Sequence, residues 1–131
     1  MLNLRNQPNG DLASLQGMLD PSLLDLKYLN FLDLSLNNFE HTPIPNCIGS
    51  FAKLSYLILS NSSFAGLIPL HLGNLSNLCY LDLLWSNFLW VSNLNWISGL
   101  SSLQNLFLIG ANLDLAIPNW LQAVNMLLLF V

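Results

Sequence analysis

Three pairs of side chains in this sequence could take part in chemistry if the fold brought the members of a pair together. They are the aspartates Asp33 and Asp82, the histidines His41 and His71, and the cysteines Cys47 and Cys79. Two carboxylates about 5–9.5 Å apart could act as a hydrolytic pair. A histidine with a second ligand at suitable spacing could bind a metal ion, and two cysteines with Cα atoms within about 7 Å could form a disulfide. Which of these is possible depends on the elements that position the residues.

The composition excludes nucleic acid as a partner and favours a repeated framework. The chain has 131 residues, of which 53% are hydrophobic and only 8% are charged, against about 25% charged in an ordinary soluble domain. The net charge is −4, and the three cations, Arg5, Lys27 and Lys53, are scattered. Phosphate binding requires clustered lysine and arginine. The longest apolar run, MLLLFV at 126–131, is far shorter than the roughly 20 residues that span a bilayer.

Leucines recur in four blocks of nearly constant length. The segment LNFLDLSLNNF, residues 29–39, places leucines at its first, fourth and sixth positions, and the same spacing returns from Leu54, Leu78 and Leu103 onward. The starting positions of the four blocks are therefore almost evenly spaced along the chain. A fixed period of 20–29 residues is typical of a leucine-rich repeat, in which each repeat supplies one short strand and a return path.

The block pattern predicts the organisation of the whole chain. We expect a degenerate N-terminal half repeat with a loop at 1–28, and four repeats at 29–53, 54–77, 78–102 and 103–126. Residues 127–131 would begin a truncated fifth unit. Five residues after its third leucine, each repeat has an apolar residue predicted to point inward; these anchors are Phe39, Phe64, Phe88 and Leu113.

The second half of the repeats carries the resemblance to a known family. Ile-Pro pairs occur at 44–45, 68–69 and 117–118, and proline is suited to end a short strand and begin a turn. The ending GLIPLHLGNL, with PSLLDLKYLNFLDLSLNNF and LNWISGLSSLQNL, resembles the first repeats of plant receptor-like proteins, the class that includes fungal-resistance receptors. The similarity covers residues 15–127. It implies an α/β-type solenoid, a leucine-rich repeat arc with a concave parallel sheet and 3-10 or irregular turns on the convex side.

Two departures from the family pattern are visible. The ninth repeat position, usually an asparagine that bonds backbone groups inside the turn, holds Asn37 but then Ser62, Ser86 and Ala111. The third repeat lacks Ile-Pro, and we expect its convex side to bulge around Trp90 and Trp96.

The positions between the leucines are expected to line the exposed concave face. We take as candidate ligand-binding residues Phe31, Asp33, Tyr56, Ile58, Tyr80, Asp82, Trp85 and Phe107. Aromatic side chains with flanking apolar groups could form a platform for a protein or peptide. Alternatively, Phe31, Tyr56 and Tyr80 could be cross-strand neighbours that support the sheet.

The same framework argues against chemistry at the six side chains. Asp33 and Asp82 share one repeat position two repeats apart, which at strand spacing is about 10 Å and wide or marginal for a hydrolytic pair. The histidines fall in turns without a second metal ligand, and the cysteines lie on different sides of the repeat. We therefore predict no enzyme activity, no metal, no cofactor and free thiols.

The sequence leaves three functions open. The resemblance implies a non-catalytic recognition scaffold, a fragment of a receptor ectodomain that binds a protein, peptide or glycan in defence or signalling. It also implies an extracellular setting at the plasma membrane and a possible co-receptor kinase. The alternatives are a secreted inhibitor of microbial cell-wall hydrolases and a non-functional truncated gene product. The sequons at Asn74 and Asn61 are candidates for glycosylation.

Overall fold

The fold is built from very short strands that alternate with short 3-10 helices. A computed structural model describes residues 1–6, 20–86 and 88–108. In chain order the strands are Leu2–Asn3 (β1), Phe31–Asp33 (β2), Tyr56–Ile58 (β3), Gly66–Leu67 (β4), Tyr80–Asp82 (β5), Leu89–Trp90 (β6) and Asn105–Phe107 (β7). The 3-10 helices are Pro21–Asp25 (η1), Asn46–Ser50 (η2), Leu70–Asn74 (η3) and Asn95–Gly99 (η4).

Five of the strands form one parallel sheet. Its order is β1-β2-β3-β5-β7, and in register Leu57 lies between Leu32 and Leu81, while Phe31 lies beside Tyr56. This register is the spacing of the leucine blocks, so each repeat adds one strand at the same place. Because side chains alternate along a strand, the middle leucines point to the core and their neighbours to the opposite face.

The N-terminal unit contributes to both layers of this arrangement. Leu2 of β1 pairs with Leu32, and η1 packs beside η2. The Asp20 side chain accepts a hydrogen bond of 2.7 Å from the Ser22 N–H and so caps η1. The boundaries of the repeats stay a prediction, and Ala111, Leu113, the pair at 117–118 and the unit at 127–131 lie outside the described residues.

Proline sets the start of two of the 3-10 helices. Pro45 and Pro69 precede η2 and η3 with φ of −66° and −68°. Proline has this φ built in and offers no N–H to a sheet, so it ends an extended segment and directs the chain into the turn. The predicted start of a turn after the Ile-Pro pair is confirmed at both positions, whereas the predicted strand before the pair is present only at 68–69, where β4 ends at Leu67.

A single hydrophobic core lies between the five-stranded sheet and the 3-10 helices. Leucines of the strands and apolar residues of the turns contribute to it together, and its fully buried members include Leu32, Leu57, Leu81, Ile48 and Leu72. Burying a leucine side chain contributes roughly 1.5–3 kcal/mol. The short strands are therefore held by the leucines beneath them and by their neighbours on either side.

The third repeat differs from the prediction at its anchor. Phe88 was expected to point inward, but it is 61% exposed and Leu89 is fully buried instead. Gly66 of β4 pairs with Leu89 of β6, whereas Tyr56 of β3 pairs with Tyr80 of β5. The step along the chain from Gly66 to Leu89 is shorter by one residue than the step from Tyr56 to Tyr80, and this shift turns Phe88 outward.

The expected bulge around Trp90 and Trp96 is also wrong. Trp90 lies in β6, which pairs with β4 in a second parallel sheet, and Trp96 lies in η4 with 5% of its surface exposed. A 3-10 helix forms here without a preceding proline; Leu94 precedes it and is itself buried. Burial of Leu94 and Trp96 thus keeps the third turn in line with the second.

Glycines allow the 3-10 helices to stack closely. A methyl group added at Gly49 would overlap the backbone carbonyl of His71, and one at Gly73 would lie 2.8 Å from the carbonyl oxygen of Trp96. Backbone atoms cannot rotate away as a flexible side chain can. Each of these glycines therefore fixes the distance between one repeat and the next.

We expect Gly49→Ala to lower the free energy of unfolding by about 1–3 kcal/mol, the usual cost of overpacking. Urea denaturation followed by circular dichroism would measure it. The control is Gly66→Ala, where no atom lies within 4 Å of the added methyl and only the φ of +89° is unfavourable, at about 1 kcal/mol. A larger loss at Gly66 than at Gly49 would contradict the role assigned to close stacking.

Candidate functional site

Aromatic side chains run across the outward face of the five-stranded sheet. We call the rings of Phe31, Tyr56, Tyr80 and Phe107 the aromatic row. Consecutive ring centroids are 5.9, 5.8 and 5.4 Å apart, with interplanar angles of 39°, 32° and 48°. These distances are within the range of favourable aromatic pairs. The row therefore crosses four strands without a gap.

The last member of the aromatic row is reached diagonally. Tyr80 pairs in register with Asn105, but its ring contacts Phe107, two residues further along β7. Diagonal neighbours on a sheet are within reach of aromatic side chains. Tyr80 is the third residue of its repeat and Phe107 the fifth of the next, so counting positions from the first leucine did not predict this contact.

A shallow depression of about 410 Å³ opens beside the aromatic row. Strand residues Asp33, Ile58 and Asp82 line it together with Tyr80. Residues of the turns that follow the strands complete it, among them Leu36, Asn61 and Trp85. The depression brings together five of the eight candidate residues, namely Asp33, Ile58, Tyr80, Asp82 and Trp85.

The turn residues of the depression share an unusual backbone conformation. Leu36, Asn61 and Trp85 have φ of 61°, 50° and 57°, and each follows the third leucine of its repeat by two residues. Asparagine tolerates this left-handed region, but for leucine and tryptophan it costs roughly 1–2 kcal/mol. The turn leaves the Trp85 side chain 66% exposed beside the depression. Sequence reasoning missed this conformation, although Asn61 and Gly110 at equivalent positions are residue types that favour it.

The two aspartates are less accessible than the pattern predicts. Asp33 is 5% and Asp82 is 8% exposed. Oδ1 of Asp33 accepts hydrogen bonds from the Ser35 N–H (2.9 Å) and hydroxyl (2.6 Å), and Oδ1 of Asp82 accepts one from the Leu84 N–H at 2.9 Å. The bonds hold each carboxylate close to its own turn, with its edge toward the depression.

The negative charges of both aspartates affect the pKa of a tyrosine in the aromatic row. Partial burial, and then the negative charges of Asp82 and Asp33, raise the pKa of Tyr80 above its ordinary value. Asp33, Ile58 and Asp82 are in register on adjacent strands, so the two carboxylates are separated by two strand spacings, about 10 Å. The depression is therefore acidic between Asp33 and Asp82, and Arg5 lines it on the far side of Asp33.

The remaining residues considered for chemistry lie apart from one another. Cys47 and Cys79 are free thiols, as predicted. The exposed His41 contacts Phe88 edge to face at 4.5 Å, and His71 is an exposed residue of η3. Within the described part of the chain, no group of three or more histidine, cysteine or acidic residues could hold a metal ion. Among the same residues, no helix has the length and apolar character to cross a bilayer.

The two sequons occupy different surroundings. Asn61 is exposed and lines the depression, and Ser62 of its sequon is buried and donates a hydrogen bond to the Leu34 carbonyl at 2.8 Å. Asn74 is exposed at the end of η3, and Ser76 of its sequon is also exposed. A glycan at Asn61 would thus stand at the depression, whereas one at Asn74 would project from the 3-10 layer.

The chain is similar to plant receptor-like proteins. It is 49% identical over 111 residues to Receptor-like protein EIX1 of Solanum lycopersicum, a match that covers 85% of this chain and 10% of that protein. It is 60% identical over 55 residues to Receptor-like protein EIX2 of Solanum lycopersicum, covering 42% of this chain and 5% of that protein. Receptor-like protein 6 of Arabidopsis thaliana is 45% identical over 73 residues, covering 54% of this chain and 7% of that protein.

The matches extend over most of this chain but over a small part of each relative. The chain spans 10% or less of the length of these curated relatives. No family model matches it. The resemblance inferred from the leucine blocks and the Ile-Pro segments is confirmed: over most of its length, this chain is homologous to plant receptor-like proteins.

Proposed function

We propose that the chain is part of a receptor-like ectodomain in plant defence or signalling, and that the aromatic row and the depression form a surface for a protein or peptide ligand. The proposal includes a leucine-rich repeat solenoid whose five-stranded sheet is the concave face. It also places this segment at the extracellular face of the plasma membrane, with a co-receptor kinase as a further partner. The relatives named above support the receptor assignment.

The arrangement of the layers supports a solenoid. Each of the first three repeats places a short strand in the parallel sheet and a 3-10 helix on the other side of the core, and the strands of successive repeats pair in register. Each strand contacts its neighbours in the series, as expected when repeats stack in one dimension. The close turn-to-turn contacts at Gly49 and Gly73 recur at equivalent places in successive 3-10 helices.

The observation that carries the binding proposal is the exposure of the rings on one sheet face. Tyr56 is 45% and Trp85 is 66% exposed, although both lie beside other aromatic or apolar groups. Exposed aromatic residues supply much of the energy at protein interfaces when a partner buries them. Cross-strand support of the sheet explains the half-buried Phe31 and Tyr80 but does not require Tyr56 or Trp85 to remain open.

The carboxylates favour recognition over catalysis in this proposal. Their separation of about 10 Å is at or beyond the wide end for a hydrolytic pair. Ile58 lies between them and Oδ1 of each is engaged by its own turn. We therefore propose binding without chemistry of its own, and Asn74 as the sequon better placed to carry a glycan, because it lies on the 3-10 layer away from the depression.

The test uses nonapeptides selected from a random library on the immobilised 131-residue chain. Tyr56→Ala is expected to lower the affinity for the selected peptides about tenfold, which corresponds to about 1.4 kcal/mol of binding free energy. Fluorescence anisotropy measures the affinity. The matched control is Leu70→Ala, because Leu70 is 49% exposed but lies in η3 on the other side of the core.

Two results would overturn the proposal. One is that the two variants weaken the peptides equally, because the aromatic row would then have no special part in binding. The other is that Leu70→Ala weakens them more than Tyr56→Ala, which would place the binding surface on the 3-10 layer. Circular dichroism and thermal melting of both variants would show that each remains folded.

A further inference from the structure

The depression holds two carboxylates whose outer oxygens have no partner among the described residues. The hydrogen bonds that Asp33 and Asp82 accept all go to Oδ1, from Ser35 and Leu84. Within residues 1–6, 20–86 and 88–108, Oδ2 of neither aspartate accepts a hydrogen bond, and neither carboxylate forms an ion pair. Both side chains are more than nine-tenths buried. Among the described residues, Trp96 Nε1 is the buried side-chain polar atom without a partner, so each Oδ2 reaches solvent and is open to a donor from outside.

The surroundings of the carboxylates are suited to a flat cation. Ile58 lies between them in register, and the rings of Tyr80 and Trp85 line the same depression. Aromatic rings attract a cation placed over their face, and arginine more often than lysine makes this contact. An apolar residue beneath the cation would pack against the face of a planar group.

We infer that the depression binds an arginine side chain of a peptide or protein ligand, with the guanidinium over Ile58 between Asp33 and Asp82 and beside the rings of Tyr80 and Trp85. This inference rests on the proposed function and names the chemistry of the ligand at the same surface.

The separation of the two carboxylates selects arginine among cations. They stand about 10 Å apart by strand spacing. The guanidinium is a rigid fork with donors on several edges, so it can bond both carboxylates when their outer oxygens lean over Ile58 to within about 8 Å of each other, the width of the group plus two hydrogen bonds of about 2.9 Å. The lysine ammonium is a compact point charge that reaches one of them. A single Ca²⁺ ion needs its oxygens within about 2.3–2.6 Å and could not be shared by carboxylates so far apart.

The cation that the described residues place at this site leaves the proposed position open. Arg5 also lines the depression, but it follows β1, on the side of Asp33 that faces away from Asp82. The described residues form no ion pair between Arg5 and Asp33. The space above Ile58 is therefore available to a guanidinium from outside.

The experiment is a thermodynamic cycle on the full chain. Nonapeptides selected on the immobilised protein are sequenced, and one that contains arginine is resynthesised with citrulline, which has the same shape but no charge, and with lysine. We expect arginine to be enriched among the selected peptides. We expect citrulline to weaken binding to the native protein tenfold or more, and lysine to weaken it severalfold.

The protein side of the cycle uses Asp82→Asn, with Asp25→Asn as the control. Asparagine keeps the Oδ1 acceptor that the Leu84 N–H uses, so the turn is preserved, and the exposed Asp25 in η1 is outside the depression. The affinity of the arginine peptide should fall about tenfold on Asp82→Asn and less than twofold on Asp25→Asn. The citrulline peptide should bind the native and Asp82→Asn proteins alike, since coupled groups are not additive.

Several outcomes would overturn the inference. The first is that the selected peptides are not enriched in arginine. The second is that the arginine and citrulline peptides lose the same affinity on Asp82→Asn. The third is that a neutral oligosaccharide such as chitohexaose displaces the peptides whether or not they contain arginine. In each case a loss of binding on Tyr56→Ala would still uphold the proposed function. If Tyr56→Ala also has no effect, the proposed function fails as well.

Discussion

Phe64→Ala is expected to lower the free energy of unfolding by about 3–5 kcal/mol, the usual cost of removing a buried phenylalanine. The ring of Phe64 is 2% exposed and stacks on that of Phe39 at a centroid distance of 4.4 Å and an angle of 9°. Its removal leaves a cavity and deprives Phe39 of its partner in the adjacent repeat. Urea denaturation of the whole chain, followed by far-ultraviolet circular dichroism, measures the loss.

Phe88→Ala is the matched control for Phe64→Ala. The two phenylalanines occupy the same position in the sequence repeat, but Phe88 is 61% exposed and its ring contact is with the exposed His41. We expect its replacement to cost less than about 1 kcal/mol, as at most surface positions. If the two variants lost the same free energy of unfolding, Phe88 would have to point inward as the repeat pattern predicts. That result would contradict the one-residue shift in the third repeat.

The leucines explain why most of this fold could be predicted from the sequence. Leu32, Leu57 and Leu81 are the middle residues of β2, β3 and β5, and their spacing in the sequence is the strand register in the structure. A pattern that repeats over four units fixes the register because any slip would expose every leucine at once. The 3-10 helices could be expected from Ile-Pro in the first two repeats.

The third repeat could not be predicted by counting from the leucines, because one residue is missing after them. A signal was nevertheless present in the segment FLWV at 88–91. Leu89 and Val91 are buried, whereas Phe88 and Trp90 are exposed, which is the alternation of a strand with one buried face. Val91 therefore takes the place of Ile68. Phe88 was assigned to the inward position because it is large and apolar, and that assignment is wrong.

The candidate site was predictable in its residues but only partly in its geometry. Phe31, Tyr56 and Tyr80 form a row because they share a repeat position and hence a register. The contact of Tyr80 with Phe107 depends on the direction of the rings. The depth of the depression depends on left-handed turns at residues such as Trp85, whose type gives no indication of that conformation.

Asn37→Ala is expected to lower the free energy of unfolding by about 2 kcal/mol, because it removes two amide hydrogen bonds that each contribute about 1 kcal/mol. The Asn37 amide is buried, and its Nδ2 donates to the carbonyls of Leu4 and Leu34 at 2.9 Å and reaches that of Ser35 at 3.3 Å. One side chain thus joins the N-terminal unit to the first repeat. Urea denaturation would show the loss as a lower midpoint at an unchanged slope.

Asn37→Ser tests why an amide is better than a hydroxyl at this position. In the second repeat Ser62 stands in the equivalent place, and its Oγ lies 2.8 Å from the Leu34 carbonyl and 3.1 Å from that of Ser60. A hydroxyl has one hydrogen to donate, whereas an amide has two. Asn37→Ser should therefore lose about half as much stability as Asn37→Ala, and Asn38→Ala, at an exposed position, about 0.5 kcal/mol. If Asn37→Ser and Asn37→Ala lose the same amount, hydrogen bonding does not explain the effect, and the packing of the amide must account for it.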